Sequence, residues 1–167
     1  DALFIRATTG PLHTAYVASK IAWENNLSVV DAPHSIQVCS NKVHMYRLLE
    51  RSHVPFIPTV FLQKEEFHHK VIQESFEKLG QPLVLKAPYT SFSEYVEKVS
   101  CETSFRNVCR RFFRRSDMVV IQRFVPTTFD WRVGVLDDEV LYVCKYLMPK
   151  GRWKHGTKIR GKSKVVW

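Results

Sequence analysis

The sequence has no closely spaced cysteines. Its four, Cys39, Cys101, Cys109 and Cys144, are scattered, with no Cys-x-x-Cys pair, which argues against a zinc knuckle or a disulfide scaffold and for a reducing, cytoplasmic setting. No apolar run reaches the roughly 18 residues of a membrane span. The opening residues Asp1, Ala2 and Leu3 carry neither the basic region nor the long apolar stretch of a signal peptide, so the expectation is a soluble protein with no membrane partner. Also missing are a Gly-x-x-x-x-Gly-Lys phosphate loop, a Gly-x-Gly-x-x-Gly fingerprint, a Gly-x-Ser-x-Gly elbow and a His-Glu-x-x-His helix, each of which would have pointed to a specific chemistry. The seven histidines form no metal set. His68 and His69 are neighbours on an expected helix, point about 100° apart and read as solvated.

Acid is also scarce: 16 Asp and Glu stand against 25 Lys and Arg in 167 residues, a formal charge of +9. Such a surplus suits an anionic partner. The basic residues cluster, with Arg106, Arg110, Arg111, Arg114 and Arg115 on an expected helix and Lys150, Arg152, Lys154, Lys158, Arg160, Lys162 and Lys164 in a tail without acids. Solvated faces and phosphate-facing ones are equally good readings of both clusters. With 45% hydrophobic and 13% aromatic residues, the chain can bury one ordinary core or two small lobes.

Periodicity predicts a strand at Leu3 to Arg6, a helix over His13 to Asn25 with Tyr16, Val17, Ile21 and Trp23 as its apolar set, and a strand at Leu27 to Val30. Asn41 is placed to cap a helix over Lys42 to Arg51, with Met45, Leu48 and Leu49 as its apolar face. Pro55 and Pro58 restrict Val54 to Leu62 to an edge strand or extended entry. A helix from about Glu66 to Leu79 should stop at Gly80, followed by a strand Pro82 to Lys86 and a polar loop Ala87 to Glu94. Tyr95 to Val99 reads as a strand, Phe105 to Arg115 as a helix, and Met118 to Val125 as a strand buried on both faces. Asp130 to Leu136 and Val140 to Leu147 flank Asp137 and Asp138 as a hairpin. The mixture predicts an α+β, two-lobed design.

Three positions stand out chemically. Lys86 closes the apolar strand Leu83, Val84, Leu85, and must send its ammonium to an exposed rim or an anion. Asp130 and Arg132 alternate with Trp131, so the two polar side chains share one strand face. Lys145 emerges among Leu141, Val143 and Leu147 and needs an anion or a water-filled cleft, unless Asp130 pairs internally with Lys145 or Arg132. Gln122 to Val125 ends a strand in a connector suited to a heterocycle, although an edge strand ending at Pro126 is the commoner explanation.

These signals occur in a set order: Ser35-Ile36, Asn41-Lys42, Ile57-Pro58-Thr59, Leu85-Lys86, Ser91-Phe92-Ser93, Gln122-Arg123-Phe124-Val125-Pro126-Thr127, Phe129-Asp130-Trp131-Arg132-Val133-Gly134-Val135-Leu136 and Cys144-Lys145-Tyr146. In that order they resemble the ATP-grasp superfamily, and within it the RimK-like glutamate ligases and glutathione synthetase relatives. The resemblance implies an ATP-grasp fold with two α+β lobes sandwiching ATP: residues 1–35 as the end of a preceding β-α-β region, 36–123 as the first lobe and 124–167 as the start of the second. It implies that Lys42 and Lys86 reach the phosphates, that the Ser91-Phe92-Ser93 loop closes over them, and that adenine rests against Gln122, Arg123, Phe124 and Val125. Asp130 matches a nucleotide-binding aspartate, Arg132 meets the transferred phosphate, and Lys145 or Lys154 faces the phosphate chain.

The implied activity is ATP-dependent ligation of a carboxylate substrate to an amine, such as an amino acid, through an acyl phosphate, with glutamate addition to a peptide or protein as its finer form. An acidic protein or peptide is then an allowed partner, and oligomerisation is left open. Two departures stand out. Arg123 replaces the acid that relatives carry after the hinge glutamine, and nothing from Tyr146 to Trp167 resembles the family's magnesium ligands. Magnesium is expected as a cofactor held beyond residue 167, so the chain alone should be inactive, as a fragment. The competing readings are an ATP-binding pseudoenzyme and a non-catalytic basic module binding nucleic acid or an acidic partner. The chain lacks the interleaved glycines and aromatic platforms that common RNA-binding modules carry.

Overall fold

A computed structural model describes residues 1–11, 13–90, 94–148, 150, 151 and 153. The described residues of 1–90 and 95–124 form one compact unit, while Glu94 and those from 125 onward form a second.

The first unit opens on a β-α-β step. Strand β1 (Ala2–Phe4) pairs in parallel with β2 (Ser28–Val30), and α1 (Thr14–Glu24) connects them. Of the apolar set expected on α1, only Tyr16 is even half-buried. Val17, Ile21 and Trp23 are exposed, and the helix instead buries the small residues Ser19 and Ala22. Ser19 satisfies its hydroxyl by donating to the Asp31 carbonyl at 2.9 Å. A helix not foreseen, α2 (Pro33–Cys39), follows with Pro33 in its first turn, where a missing N–H costs nothing.

Helix α3 (Lys42–Arg51) begins as expected. The Asn41 Oδ1 accepts from the amides of Val43 (2.8 Å) and His44 (3.4 Å). Its buried residue is Tyr46, however, and Leu48 of the expected apolar face is exposed. Strand β3 (Thr59–Gln63) starts beyond both prolines and lies at a sheet edge. A 3-10 turn (Lys64–Glu66) then delays α4 (His69–Leu79), because the Glu66 carboxylate accepts from the Gln63 amide at 3.2 Å. Gly80 ends α4 with a φ of 85°, a conformation that costs glycine little.

Strands β4 (Leu83–Lys86), β5 (Val96–Val99) and β6 (Met118–Arg123) join β3 in an antiparallel sheet ordered β3-β6-β4-β5. Alternation divides it into two faces. Leu83, Leu85, Val119 and Ile121 point into a core with Leu62, Ile72 and Leu79 from one side of the chain and Phe105 and Phe112 of α5 (Glu102–Phe112) from the other. Val84, Lys86, Val120, Gln122 and Thr59 belong to the opposite face. Helix α5 starts three residues before the expected Phe105, because Cys101 and Ser104 cap its first turn.

In the second unit, β7 (Phe129–Leu136) and β8 (Glu139–Leu147) form the expected hairpin, with Asp137 and Asp138 both at positive φ (52° and 63°) in its two-residue turn. Turns of that hand match the twist of the strands. Gly134 faces Tyr142 so closely that an added Cβ would lie 2.2 Å from the ring.

Candidate functional site

The sequence of α3 places Lys42 and Tyr46 four residues apart, hence on one helix face. Lys42 is the first helical residue, at the positive end of the helix dipole. Its ammonium donates to the Thr90 carbonyl (2.5 Å), the Thr90 hydroxyl (3.1 Å) and the Pro88 carbonyl (3.5 Å), tying the polar segment after β4 to the start of α3. Burial, and after it the charge of Lys86, lowers the Lys42 pKa from 10.5 to about 8. No carboxylate is paired with either lysine among the described residues.

Lys86 ends β4 on the non-core face, one position from where the strand gives way to Ala87. Its ammonium donates to Gln122 Oε1 at 2.7 Å and to the Tyr46 hydroxyl oxygen at 3.4 Å. The Gln122 side chain is 4% exposed and uses both its ends. Its Nε2 donates to Tyr46 Oη at 3.0 Å and to Thr59 Oγ1 at 2.9 Å, while the Thr59 hydroxyl donates to the Ile57 carbonyl at 2.7 Å. Only one orientation of the amide puts an acceptor against the ammonium. The network thus fixes a cation with neutral dipoles and leaves its charge uncompensated. Such an arrangement suits an anion arriving from outside.

Gln122 and Arg123 alternate, so they leave β6 on opposite faces. Arg123 faces the core side, where its Nε donates to the Leu79 carbonyl at 3.1 Å and satisfies an end carbonyl of α4. Phe124 lies under the Lys98 ammonium at 4.6 Å, and Val125 is exposed in the second unit. Neither the Gln122 amide nor the Arg123 Nε is left free in this structure to meet a base.

On the hairpin, Asp130 and Arg132 do share a face, and the register puts Tyr146 and Cys144 opposite them. Arg132 stacks over the Tyr146 ring at 4.4 Å. Lys145 lies opposite Trp131, on the other face, with its Nζ 4.1 Å over the Phe129 ring. The register thus puts Asp130 and Lys145 on opposite faces of the hairpin, and Lys145 meets an aromatic quadrupole. The side chains on that face are exposed, Trp131 by 62%. Ser91, Phe92, Ser93 and Lys154, together with the basic positions Arg152, Lys158, Arg160, Lys162 and Lys164, lie outside the described residues.

The arginine cluster of α5 is largely engaged. Arg106 pairs with Glu102 at 2.7 Å, Arg111 with Glu97 at 3.0 Å, and Arg115 stacks on Tyr95 at 4.8 Å. His68 and His69 are exposed, as expected, and each also makes a local contact. His68 Nδ1 caps α4 by accepting from the Val71 amide, and His69 meets Glu102 at 2.7 Å. The Arg106 and His69 contacts hold the Glu102 carboxyl below its ordinary range. Burial pushes the Cys109 thiol up to about 12, an inert core residue. A hollow of about 260 Å³ lined by Tyr16, Trp23 and Pro33 among others shares no residue with the lysine network. No three His, Cys, Asp or Glu residues are grouped to hold a metal ion among the described residues, so the chemistry of a magnesium ion is not assigned to them. Likewise, among the described residues no helix is long and apolar enough to cross a membrane.

Tyr46, Thr59 and Thr90 were not anticipated as members of the site. The spacing of Tyr46 from Lys42 was a readable signal, whereas the Thr59 contact depends on strand register.

No family model matches the chain, and neither does any curated protein. Solved structures do. The D-alanyl-alanine synthetase A of Vibrio cholerae superposes with a TM-score of 0.71 at 15% identity, over 99% of this chain and 51% of that one. A RimK domain ATP-grasp protein of Sphaerobacter thermophilus gives 0.68 at 17% identity, over 86% and 54%. The D-alanine–D-alanine ligase of Bacillus anthracis complexed with ATP gives 0.62 at 17% identity, over 77% and 42%. The chain spans about half the length of the first two of these proteins, and it has the ATP-grasp fold.

Proposed function

We propose, on the premise of the ATP-grasp fold, that this chain is the nucleotide-binding part of an ATP-dependent carboxylate-amine ligase, with residues 36–123 as the first lobe and 124–167 as the start of the second. The observation that carries the proposal is the pair Lys42 and Lys86, with no carboxylate on either among the described residues and with Lys86 fixed by Gln122 and Tyr46. Such a cradle matches a polyphosphate, whose oxygens would take over the ammonium protons that Lys42 gives to Thr90 and Pro88. Adenine would rest on the backbone of Phe124 and Val125, because the Gln122 amide and the Arg123 Nε are otherwise engaged.

In such a ligase a substrate carboxylate attacks the γ-phosphorus, ADP leaves, and an acyl phosphate forms. An amine then attacks the acyl carbon and phosphate departs. Lys42 and Lys86 would neutralise charge on the phosphate chain. Asp130 would bind the nucleotide, and Arg132, with its planar fork, would hold the transferred phosphate. Lys145, Lys154 and the Ser91-Phe92-Ser93 loop would face the phosphates. Magnesium belongs to this chemistry but not to residues described here. The RimK-like group and glutamate as the amine are the finer form of the proposal, supported by the motif order and by the RimK domain relative among the structural matches.

Titration calorimetry tests it. ATP should bind weakly yet better than tripolyphosphate, the difference being the base. Equal affinity for the two would remove the adenine site. A short RNA that binds with a steep salt dependence, and that ATP does not displace, would replace this reading with a nucleic-acid module. The engaged state of Arg106, Arg111 and Arg115 disfavours that module.

A further inference from the structure

Among the described residues, the lysine network contains one donor without an acceptor. Tyr46 is 9% exposed, and its hydroxyl oxygen already receives two protons, one from Gln122 Nε2 at 3.0 Å and one from Lys86 Nζ at 3.4 Å. Neither of those groups can accept the phenol's own proton there, since an ammonium and an amide NH₂ are donors only. Among the described residues, no hydrogen bond has the Tyr46 hydroxyl as its donor. A buried polar hydrogen in that state is costly, and natural sites keep one where a ligand completes it. Phenylalanine at this position would fill the same space, and its ring would still pack on Phe56, whose centroid is 5.3 Å away.

We propose that Tyr46 is a direct ligand of the phosphate chain, its hydroxyl donating to the same anion that Lys86 and Lys42 attract. The inference rests on the ligase reading above and adds to it a residue that the motif order did not mark. Two N–H donors on the oxygen polarise the O–H bond, so the phenol donates more strongly than a free one. Its position is set by helix geometry: four residues after Lys42, it brings one neutral and one charged donor to a single face of α3. A neutral donor also binds an anion without adding repulsion to the two ammonium groups.

The test uses the chain as it stands, with inorganic tripolyphosphate as the probe and Tyr46→Phe and Lys86→Met as variants. A hydrogen bond to a charged group is lost in Tyr46→Phe, so binding should weaken about ten- to a hundredfold, with melting shifted by only a few degrees. In the unsubstituted chain, a ¹³Cζ label placed at Tyr46 alone should shift as tripolyphosphate is added. Tyr46→Phe binding as tightly as the original while Lys86→Met loses binding would overturn the role of Tyr46 and leave the lysine site standing. No binding by the unsubstituted chain would bring down both. Should Tyr46→Phe fail to fold, the label decides, and a resonance that stays still at saturation overturns the proposal.

Discussion

Gln122 Oε1 lies 2.7 Å from the Lys86 ammonium, and the other end of the same amide is held by Tyr46 and Thr59. Glutamine at that point lends the cation a dipole without cancelling its charge. Gln122→Glu would place a carboxylate there instead and form a buried ion pair. The expected result is a chain that folds but binds ATP at least about tenfold more weakly, since a tenfold change needs only about 1.4 kcal/mol. Calorimetry on both forms at one ionic strength checks it, and unchanged affinity would mean that the nucleotide does not meet Lys86.

The pKa of Lys42, lowered from 10.5 to about 8 mainly by burial and then by Lys86, has a signed consequence. Between about pH 8 and 10.5 the unfolded chain holds more protons at this residue than the folded one, so folding stability should rise with pH across that window. The cost of the buried charge is fully present below pH 8 and gone above 10.5. Denaturant melts at pH 7.5 and 9.5 should show the gain in the original chain and lose most of it in Lys42→Met.

Anion binding pulls the same equilibrium the other way, because a phosphate beside Lys42 favours its charged form. Near pH 8, where Lys42 is about half protonated, tripolyphosphate should therefore bind with proton uptake of up to about half a proton per site. Calorimetry in two buffers of different ionisation enthalpy measures it. Zero uptake would place the anion away from Lys42.

Gly134 and Tyr142 make a steric prediction. A Cβ at Gly134 would lie 2.2 Å from the Tyr142 ring, so Gly134→Ala must displace that ring. Overpacking of this kind costs about 1–3 kcal/mol, partly relieved because Tyr142 is half exposed. Thermal melts should show a loss for Gly134→Ala that shrinks when Tyr142→Ala is added.

Arg132 should matter to the reaction and little to the fold. Its stacking on Tyr146 is of the exposed kind, worth about 0.5–1 kcal/mol. A guanidinium on a developing acyl phosphate is worth about 2.7–4 kcal/mol if it acts like other preorganised donors. Arg132→Ala should thus melt near the original and, in the complete protein, change ATP affinity modestly and reduce ligation about a hundredfold or more, with no rescue by Arg132→Lys. Normal ligation would make Asp130 and Arg132 scaffolding.

Local signals carried most of the fold's elements. Asn41 announced α3, Gly80 ended α4, and the paired aspartates marked the hairpin turn. What composition hid was orientation. On α1 the stripe of Val17, Ile21 and Trp23 lies exposed, because the helix packs through Ser19 and Ala22, whose small size allows close approach to β2. Similarly α2 went unseen because only Pro33, in its first turn, signalled a start. The lysines of the candidate site were legible from the motif order, whereas Tyr46 lay outside it and Thr59 stood in it with no role attached. Their roles arise from partners 76 and 63 residues away in sequence, and no local pattern encodes such a pairing. The placement of Lys145 opposite Trp131 likewise needed the actual register.

Because β6 sits between β3 and β4, the sheet cannot close while the polypeptide is being synthesised until residues 118–123 have emerged. Before then β3 and β4 each display an unpaired edge, which is a template for wrong pairing. The loop that must close is long, and its entropy has to be lost before any of the sheet's central hydrogen bonds are gained. The phosphate cradle shares this schedule, since Lys86 and Tyr46 have no Gln122 to hold them until the same strand inserts. Nucleotide would therefore be recruited only by a chain whose central strand is already in place, and its binding would draw the last step of folding toward completion by mass action.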